Sequence, residues 1–174
     1  GLAHTDGFVP QLSAWLSAGE RSLHIINGGV SGDTSAGGLA RVDWYLQEDL
    51  DIMIVALGGN DFLRGIDPEE TLSNLDKILA IGQSRGINLM LVGLLAPNNF
   101  GLEYKTNFDQ IFPFLAKKYN LRLITNFMHP ILERVHSGDS PELYFQSDML
   151  HPNAKGVALI VEQIGPELNR LILE

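Results

Sequence analysis

Apolar residues recur along this chain in two rhythms, one with the period of a helix and one typical of short buried strands. Apolar residues spaced three or four apart predict helices over Phe8–Ala18, Thr34–Leu46, Pro68–Ser84, Glu103–Tyr119, a short stretch near Ile131–Val135, and Asn153–Leu173. Short, largely unbroken apolar runs predict strands over Ser22–Asn27, Asp51–Leu57, Asn88–Leu95 and Leu121–Ile124.

The alternation of strands with helices of this length predicts an α/β fold with a parallel, doubly wound sheet. The Asp51–Leu57 run is apolar almost throughout, which is typical of a strand whose two faces are both covered by helices. A length of 174 residues fits one domain with one core, so we expect residues 1–174 to form a single domain.

Polar segments rich in Gly, Pro and Asn follow the predicted strands. Gly28–Thr34 follows the first strand, Gly58–Asp61 the second and Ala96–Asn99 the third, while Ser147–Asn153 precedes the last helix. Ligands of open α/β sheets bind at the carboxyl ends of the strands, so these segments are where a site is expected.

Two of these segments could stabilise a negative charge. The backbone N–H of Gly32 lies in a turn just before a helix, where an anion is favoured; alternatively, Asp33 or Thr34 simply caps that helix. The amide of Asn60 follows two glycines and could donate a hydrogen bond to a developing oxyanion; alternatively, it only completes a turn.

Asp148 and His151 lie three residues apart, just ahead of the last helix. A carboxylate at that spacing can bind one ring nitrogen and leave the other free to accept a proton. The simpler interpretation is a surface histidine near a helix cap. A metal site centred on His151 is a further alternative, although its spacing matches no familiar motif; its additional ligands would be His129, His136 and Asp139.

Composition narrows the range of partners. Twelve Lys and Arg against 21 Asp and Glu give a net charge of −9, which opposes binding to nucleic acid or to an anionic membrane surface. The chain has no cysteine, so it forms no disulfide and has no thiolate nucleophile. No apolar run reaches the roughly 18 residues that a membrane-spanning helix needs.

Taken together, these segments resemble the SGNH (GDSL-type) hydrolases, and in particular their bacterial arylesterase, acyl-CoA thioesterase and lysophospholipase branch. The similar blocks are Asn27–Thr34 with Gly38–Arg41, Leu57–Asp61 with Leu63–Gly65, and the D-x-x-H-P-N of Asp148–Asn153, together with Asp6–Leu12 near the start. The resemblance implies a three-layer α/β/α sandwich with a flavodoxin-like sheet.

The resemblance also implies roles for individual residues. His151 would be the general base and Asp148 its orienting carboxylate, while the N–H of Gly32 and the amide of Asn60 would bind the oxyanion. A mobile loop from Asp61 to Gly65 would lie beside the acyl group. The substrate-binding residues would be Asp61, Leu95 and Pro97, and Ala96 would line the substrate groove with the last two.

The first block of the family, the Gly-Asp-Ser that carries the nucleophile, has no counterpart in this sequence. Ser31 is the best alternative, but its equivalent in the family is not the nucleophile, and its neighbour Gly32 must donate an N–H. We therefore expect the chain to be N-terminally incomplete, with the nucleophilic serine upstream of Gly1. The strand before that serine would be central in the sheet, between the Ser22–Asn27 and Asp51–Leu57 strands.

The expected function is hydrolysis of a small-molecule ester or thioester by a Ser-His-Asp triad, with no metal or organic cofactor. The alternative is an SGNH-like binding module that lacks the nucleophile. The branch is often periplasmic or secreted. Acyl chain length, leaving group and oligomeric state are not readable from the sequence.

Overall fold

The computed structural model of the chain describes residues 2–18, 23–46 and 49–173. Their elements, in chain order, are α1 (Phe8–Ser17), α2 (Ser35–Tyr45), β1 (Ile52–Val55), α3 (Gly59–Leu63), α4 (Pro68–Ser84), β2 (Asn88–Val92), α5 (Gly101–Tyr119), β3 (Arg122–Ile124), α6 (His129–His136) and α7 (Ala154–Leu173). Short 3-10 helices lie at His4–Asp6, Asn98–Phe100 and Pro141–Leu143. The chain divides into two compact units, Gly28–Asn126 and Gly1–Asn27 with Phe127–Glu174.

The Gly28–Asn126 unit is built on a parallel sheet in the order β1-β2-β3. Ile52 of β1 lies opposite Asn88 of β2, and Met90 of β2 lies opposite Arg122 of β3. Helices α4 and α5 make the crossovers that parallel strands require, and α4 packs against both α2 and α5. The fully buried side chains of this core include Leu75, Leu79, Leu91, Phe108 and Leu115.

The other unit is built on α7, which packs against α1 and α6. Close approach depends on two glycines of α7. A Cβ at Gly165 would come within 2.7 Å of the Trp15 ring of α1, and a Cβ at Gly156 would come within 2.9 Å of Ile131 of α6. The absence of a side chain at these two positions lets the helices pack closely and brings the start of α7 next to the loop that precedes it.

The predicted helices are confirmed, with ends that shift by at most a few residues. The predicted strand Ser22–Asn27 is wrong for the residues described, because residues 23–27 form no strand, and Ser22 lies outside the described residues. An apolar run becomes a strand only when a neighbour satisfies its backbone hydrogen bonds. Within the described ranges, β1 also pairs with β2 alone, and three of its four residues are only partly buried.

Candidate active site

Asp148 and His151 lie in the loop ahead of α7, and their side chains are hydrogen bonded at 2.8 Å between His151 Nδ1 and Asp148 Oδ2. The other carboxylate oxygen accepts the backbone N–H groups of His151, at 3.0 Å, and of Leu150, at 2.9 Å. These two backbone bonds, followed by the bond from the His151 ring, hold the pKa of Asp148 well below its usual value. The carboxylate is therefore ionised and stabilises the His151 tautomer with its proton on Nδ1.

The second ring nitrogen of His151, Nε2, has no hydrogen-bond partner in the described part of the chain. The side chain is 61% exposed, so this nitrogen is accessible to an incoming group. An imidazole that is held at Nδ1 by a carboxylate and is free at Nε2 can accept a proton from a hydroxyl.

The loop that carries this pair is closed on itself. Phe145 and Pro152 form an isolated antiparallel bridge, and the N–H of Gln146 donates to the carbonyl of His151 at 2.8 Å. Between the two functional residues, Met149 adopts a left-handed conformation with φ of 55°, which a residue with a side chain rarely adopts. Such conformations cost free energy and persist where the surroundings enforce them, often at functional sites.

Asn153 ties this loop to the start of α7. Its side-chain oxygen accepts the N–H groups of Lys155, at 2.9 Å, and Gly156, at 3.1 Å, and so caps the helix. Its amide donates to the carbonyls of Leu143 and Phe145 at 3.1 and 3.0 Å. The sequence motif contained Asn153, but no role was predicted for it; its position at the first residue of the predicted Asn153–Leu173 helix was the signal for the cap.

Gly32 lies in a turn in which the N–H of Asp33 donates to the carbonyl of Val30 at 3.2 Å. Its φ of 77° is in the left-handed region, where glycine is favoured. The carbonyl of Gly32 accepts Nη2 of Arg64 at 2.7 Å, whereas its N–H has no partner among the described residues. Gly32 is an exposed residue, so this N–H is free to donate to an anion.

Asn60 lies at the start of α3, and one amide hydrogen is used to hold it there: Nδ2 donates to the carbonyl of Asp33 at 2.9 Å. An amide nitrogen carries two hydrogens, so one bond fixes the side chain and the other hydrogen remains to donate. Gly58, two residues before Asn60, adopts φ of 109°, and this conformation turns the chain from β1 into α3. The structure therefore brings Asn60 and the Gly32 turn together, in the same unit.

The environment of Asp61 does not support the predicted contact with substrate. Its side chain is fully buried, and its oxygens accept the N–H of Ser35 at 2.8 Å, the hydroxyl of Ser35, and the hydroxyl of Thr71 at 3.1 Å. A carboxylate satisfied in this way faces the interior of its unit. The predicted loop from Asp61 to Gly65 also begins inside α3 and ends in a turn at Gly65, whose φ is 65°.

Leu95 and Pro97 follow β2 and are both exposed, Leu95 at 48%. Ala96 between them is buried, and side chains of α5 bind both its N–H and its carbonyl. The N–H of Ala96 donates to Asp109 Oδ1 at 2.8 Å, and its carbonyl accepts Lys105 Nζ at 2.7 Å. Lys105 and Asp109 were not predicted, and their only signal was an oppositely charged pair spaced four apart on a helix.

No group of three His, Asp or Glu side chains in the described ranges is arranged to hold a metal ion. The histidines of the alternative metal set, His129 and His136, are the first and last residues of α6, and both are exposed. Asp139 accepts a hydrogen bond from the Tyr144 hydroxyl at 2.5 Å.

In the part of the chain that the structure describes, no helix is long and apolar enough to cross a membrane.

His151 is hydrogen bonded to a carboxylate, and the α/β fold also has free N–H donors beside its parallel sheet. Ester hydrolases use groups of these two kinds. The chain belongs to the GDSL-like lipase/acylhydrolase family, whose sequence model matches residues 1–159.

Individual relatives agree with this assignment. The arylesterase of Vibrio mimicus is 34% identical over 149 residues, which cover 85% of this chain and 71% of that protein. The crystal structure of the SGNH-hydrolase family esterase AlinE4 superposes with a TM-score of 0.76 at 39% identity, covering 98% of this chain and 88% of the other. The psychrotrophic esterase EstA from Pseudoalteromonas sp., inhibited by monoethylphosphonate, superposes with a TM-score of 0.88 at 28% identity, covering 100% and 92%.

These similarities confirm three predictions made from the sequence. The resemblance to SGNH hydrolases is confirmed by the family match and by the relatives. The α/β fold class with a parallel sheet is confirmed by the superpositions. The enzyme class, a carboxylic-ester hydrolase, is confirmed by the relatives.

Proposed function

We propose that this protein is a serine ester hydrolase in which His151 is the general base, Asp148 orients it, and Gly32 and Asn60 bind the oxyanion. The single observation that carries the proposal is the 2.8 Å bond between His151 Nδ1 and Asp148, which leaves Nε2 free. This is the arrangement in which an imidazole accepts a proton from a nucleophilic hydroxyl.

The proposed reaction is acyl transfer to water. The serine oxygen attacks the ester carbonyl carbon while His151 Nε2 takes the hydroxyl proton, and the carbonyl oxygen becomes an oxyanion held by Gly32 N–H and the Asn60 amide. Collapse of this intermediate breaks the bond to the alcohol, which receives the proton from His151. A water molecule then attacks the acyl-enzyme with the same histidine as base, and the serine is released.

We propose that the nucleophilic serine lies upstream of Gly1, in a Gly-Asp-Ser block that follows a further strand. The resemblance to the family supports this position. So does β1, whose partly buried apolar residues pair on one side only within the described ranges. An apolar strand edge left unpaired is an aggregation hazard that folded proteins normally cover. Residues 1–174 would then be the larger part of one SGNH domain.

The proposed substrates are small carboxylic esters or thioesters. Relatives named arylesterase, esterase TesA and thioesterase 1/protease 1/lysophospholipase L1 support this range. Leu95 and Pro97 offer exposed apolar surface that suits an acyl or aryl group, and Lys105 and Asp109 bind the backbone of Ala96 between them. Asp61 is not among the proposed substrate-binding residues, because its carboxylate is buried. The proposed chemistry needs no metal or organic cofactor.

Asn60→Ala tests the proposed oxyanion donor. We expect kcat for p-nitrophenyl butyrate to fall about 100- to 1,000-fold with little change in KM, because the donor acts on charge that develops only in the transition state. The measurement uses the protein with its upstream segment. Asn169→Ala, an exposed asparagine on α7, is the matched control and should keep the normal rate. A normal kcat for Asn60→Ala would remove this residue from the mechanism.

A further inference from the structure

Asp61 is the one charged side chain that is buried in the part of the chain that the structure describes. Burying a carboxylate is costly unless its oxygens are fully hydrogen bonded. Here the backbone N–H and hydroxyl of Ser35 and the hydroxyl of Thr71 all donate to it, and the amide of Asn74 donates to the Ser35 hydroxyl at 3.1 Å. The four side chains of Ser35, Asp61, Thr71 and Asn74 therefore form one buried, hydrogen-bonded cluster.

The cluster joins two elements that carry the proposed oxyanion donors. Ser35 is the first residue of α2, three residues after Gly32, and Asp61 is the neighbour of Asn60 in α3. Two other links run in parallel: Asn60 donates to the carbonyl of Asp33, and Arg64 donates to the carbonyl of Gly32. The Arg64 link is exposed and the Asn60 link is partly buried, so the Asp61 link is the one shielded from water.

We propose that Asp61 is a positioning residue that holds α3 against the Gly32–Ser35 turn, so that the Gly32 N–H and the Asn60 amide keep a fixed separation. This inference rests on the proposed function, because it assumes that these two groups bind one oxyanion. Oxyanion donors act within a narrow range of distances, and an error of about 1 Å can cost about 100-fold in rate. Asp61 itself touches no substrate.

Asp61→Asn is the first test, made in the protein with its upstream segment. The amide has the same size and keeps one acceptor oxygen, but its NH₂ group replaces the other, so the Ser35 N–H or the Ser35 and Thr71 hydroxyls lose their acceptor. We expect kcat for p-nitrophenyl butyrate to fall about 10- to 100-fold, while KM changes by less than about threefold. Ile78→Val, a core change in α4, is the control: it lowers stability and should leave kcat unchanged.

Thr71 supplies a second pair of variants that does not alter the carboxylate. Thr71→Ser keeps the hydroxyl that donates to Asp61 and should keep kcat near normal. Thr71→Val keeps the shape but removes the donor, so kcat should fall in the same direction as in Asp61→Asn. This pair decides the question if Asp61→Asn does not fold. Equal kcat values for the Ser and Val variants would then overturn the proposal.

The decisive experiment combines Asp61→Asn with Asn60→Ala. Once α3 carries no donor, its exact position no longer matters, so Asp61→Asn should lower kcat by no more than about threefold further. The same fold-loss with and without Asn60 would overturn the inference, as would a normal kcat in Asp61→Asn alone. If Asn60→Ala itself keeps a normal kcat, the proposed function fails first, so the two failures are distinguishable.

Discussion

Replacing His151 with Gln is expected to lower kcat/KM for p-nitrophenyl butyrate by at least about 10⁴-fold, the largest effect of any single change in this chain. Glutamine keeps polar atoms of similar reach but cannot accept and return a proton. Because His151 is held at Nδ1 by Asp148 and is free at Nε2, no other group in the loop can replace it as base. Steady-state kinetics of the protein with its upstream segment measure the loss.

His136→Gln is the matched control for this change. His136 is an exposed histidine at the end of α6, so the same chemical substitution there should leave the rate within about twofold of normal. It also tests the metal-site alternative, which uses His136 as a ligand. A His151→Gln variant with more than about a tenth of normal activity would show that His151 is not the base.

Asp148→Asn is expected to lower kcat by about 10⁴-fold without unfolding the protein. The asparagine oxygen can still accept the backbone N–H groups of Leu150 and His151, so the loop should keep its shape. Its NH₂ group would now face His151 Nδ1 and force that nitrogen to act as an acceptor. The proton would then sit on Nε2, and the histidine could no longer serve as base.

Circular dichroism and thermal unfolding should be close to normal for Asp148→Asn, which separates a wrong tautomer from a collapsed loop. Asp139→Asn, a change of the same kind in the same unit, should keep the normal kcat. The hydrogen bonds that lower the pKa of Asp148 keep its carboxylate ionised in mildly acidic solution, so protonation of Asp148 should not limit the activity of the normal protein there. A kcat for Asp148→Asn within about tenfold of normal would contradict the orienting role.

The parts of this molecule that were predicted correctly are encoded locally. The D-x-x-H spacing predicts contact between Asp148 and His151, because side chains three positions apart in a loop can meet. In the structure His151 Nδ1 and Asp148 Oδ2 are 2.8 Å apart. The helix α4 begins and ends at its predicted residues because Pro68 at its first turn and a regular apolar stripe define it. Asp67 also accepts the N–H of Glu69 as a cap, which is again a local signal.

The parts that sequence reasoning missed depend on contacts between distant residues. The run at Ser22–Asn27 has the composition of a strand, but composition does not supply a pairing partner. The resemblance to the family implied a substrate contact for Asp61, yet its bonds come from Ser35 and Thr71, on two other helices. The hydrogen bonds of Lys105 and Asp109 to the backbone of Ala96 likewise join residues that are distant in the sequence.

His151 and Asp148 are proposed to serve a serine that lies outside residues 1–174. This proposal is tested by treating the natural protein, with its upstream segment, with a fluorophosphonate ester and mapping the modified peptide by mass spectrometry. We expect one labelled serine, in a Gly-Asp-Ser upstream of Gly1, and no labelling in the His151→Gln variant. Labelling of Ser31 or any other serine of residues 1–174, or ester hydrolysis that persists with no serine labelled, would contradict it.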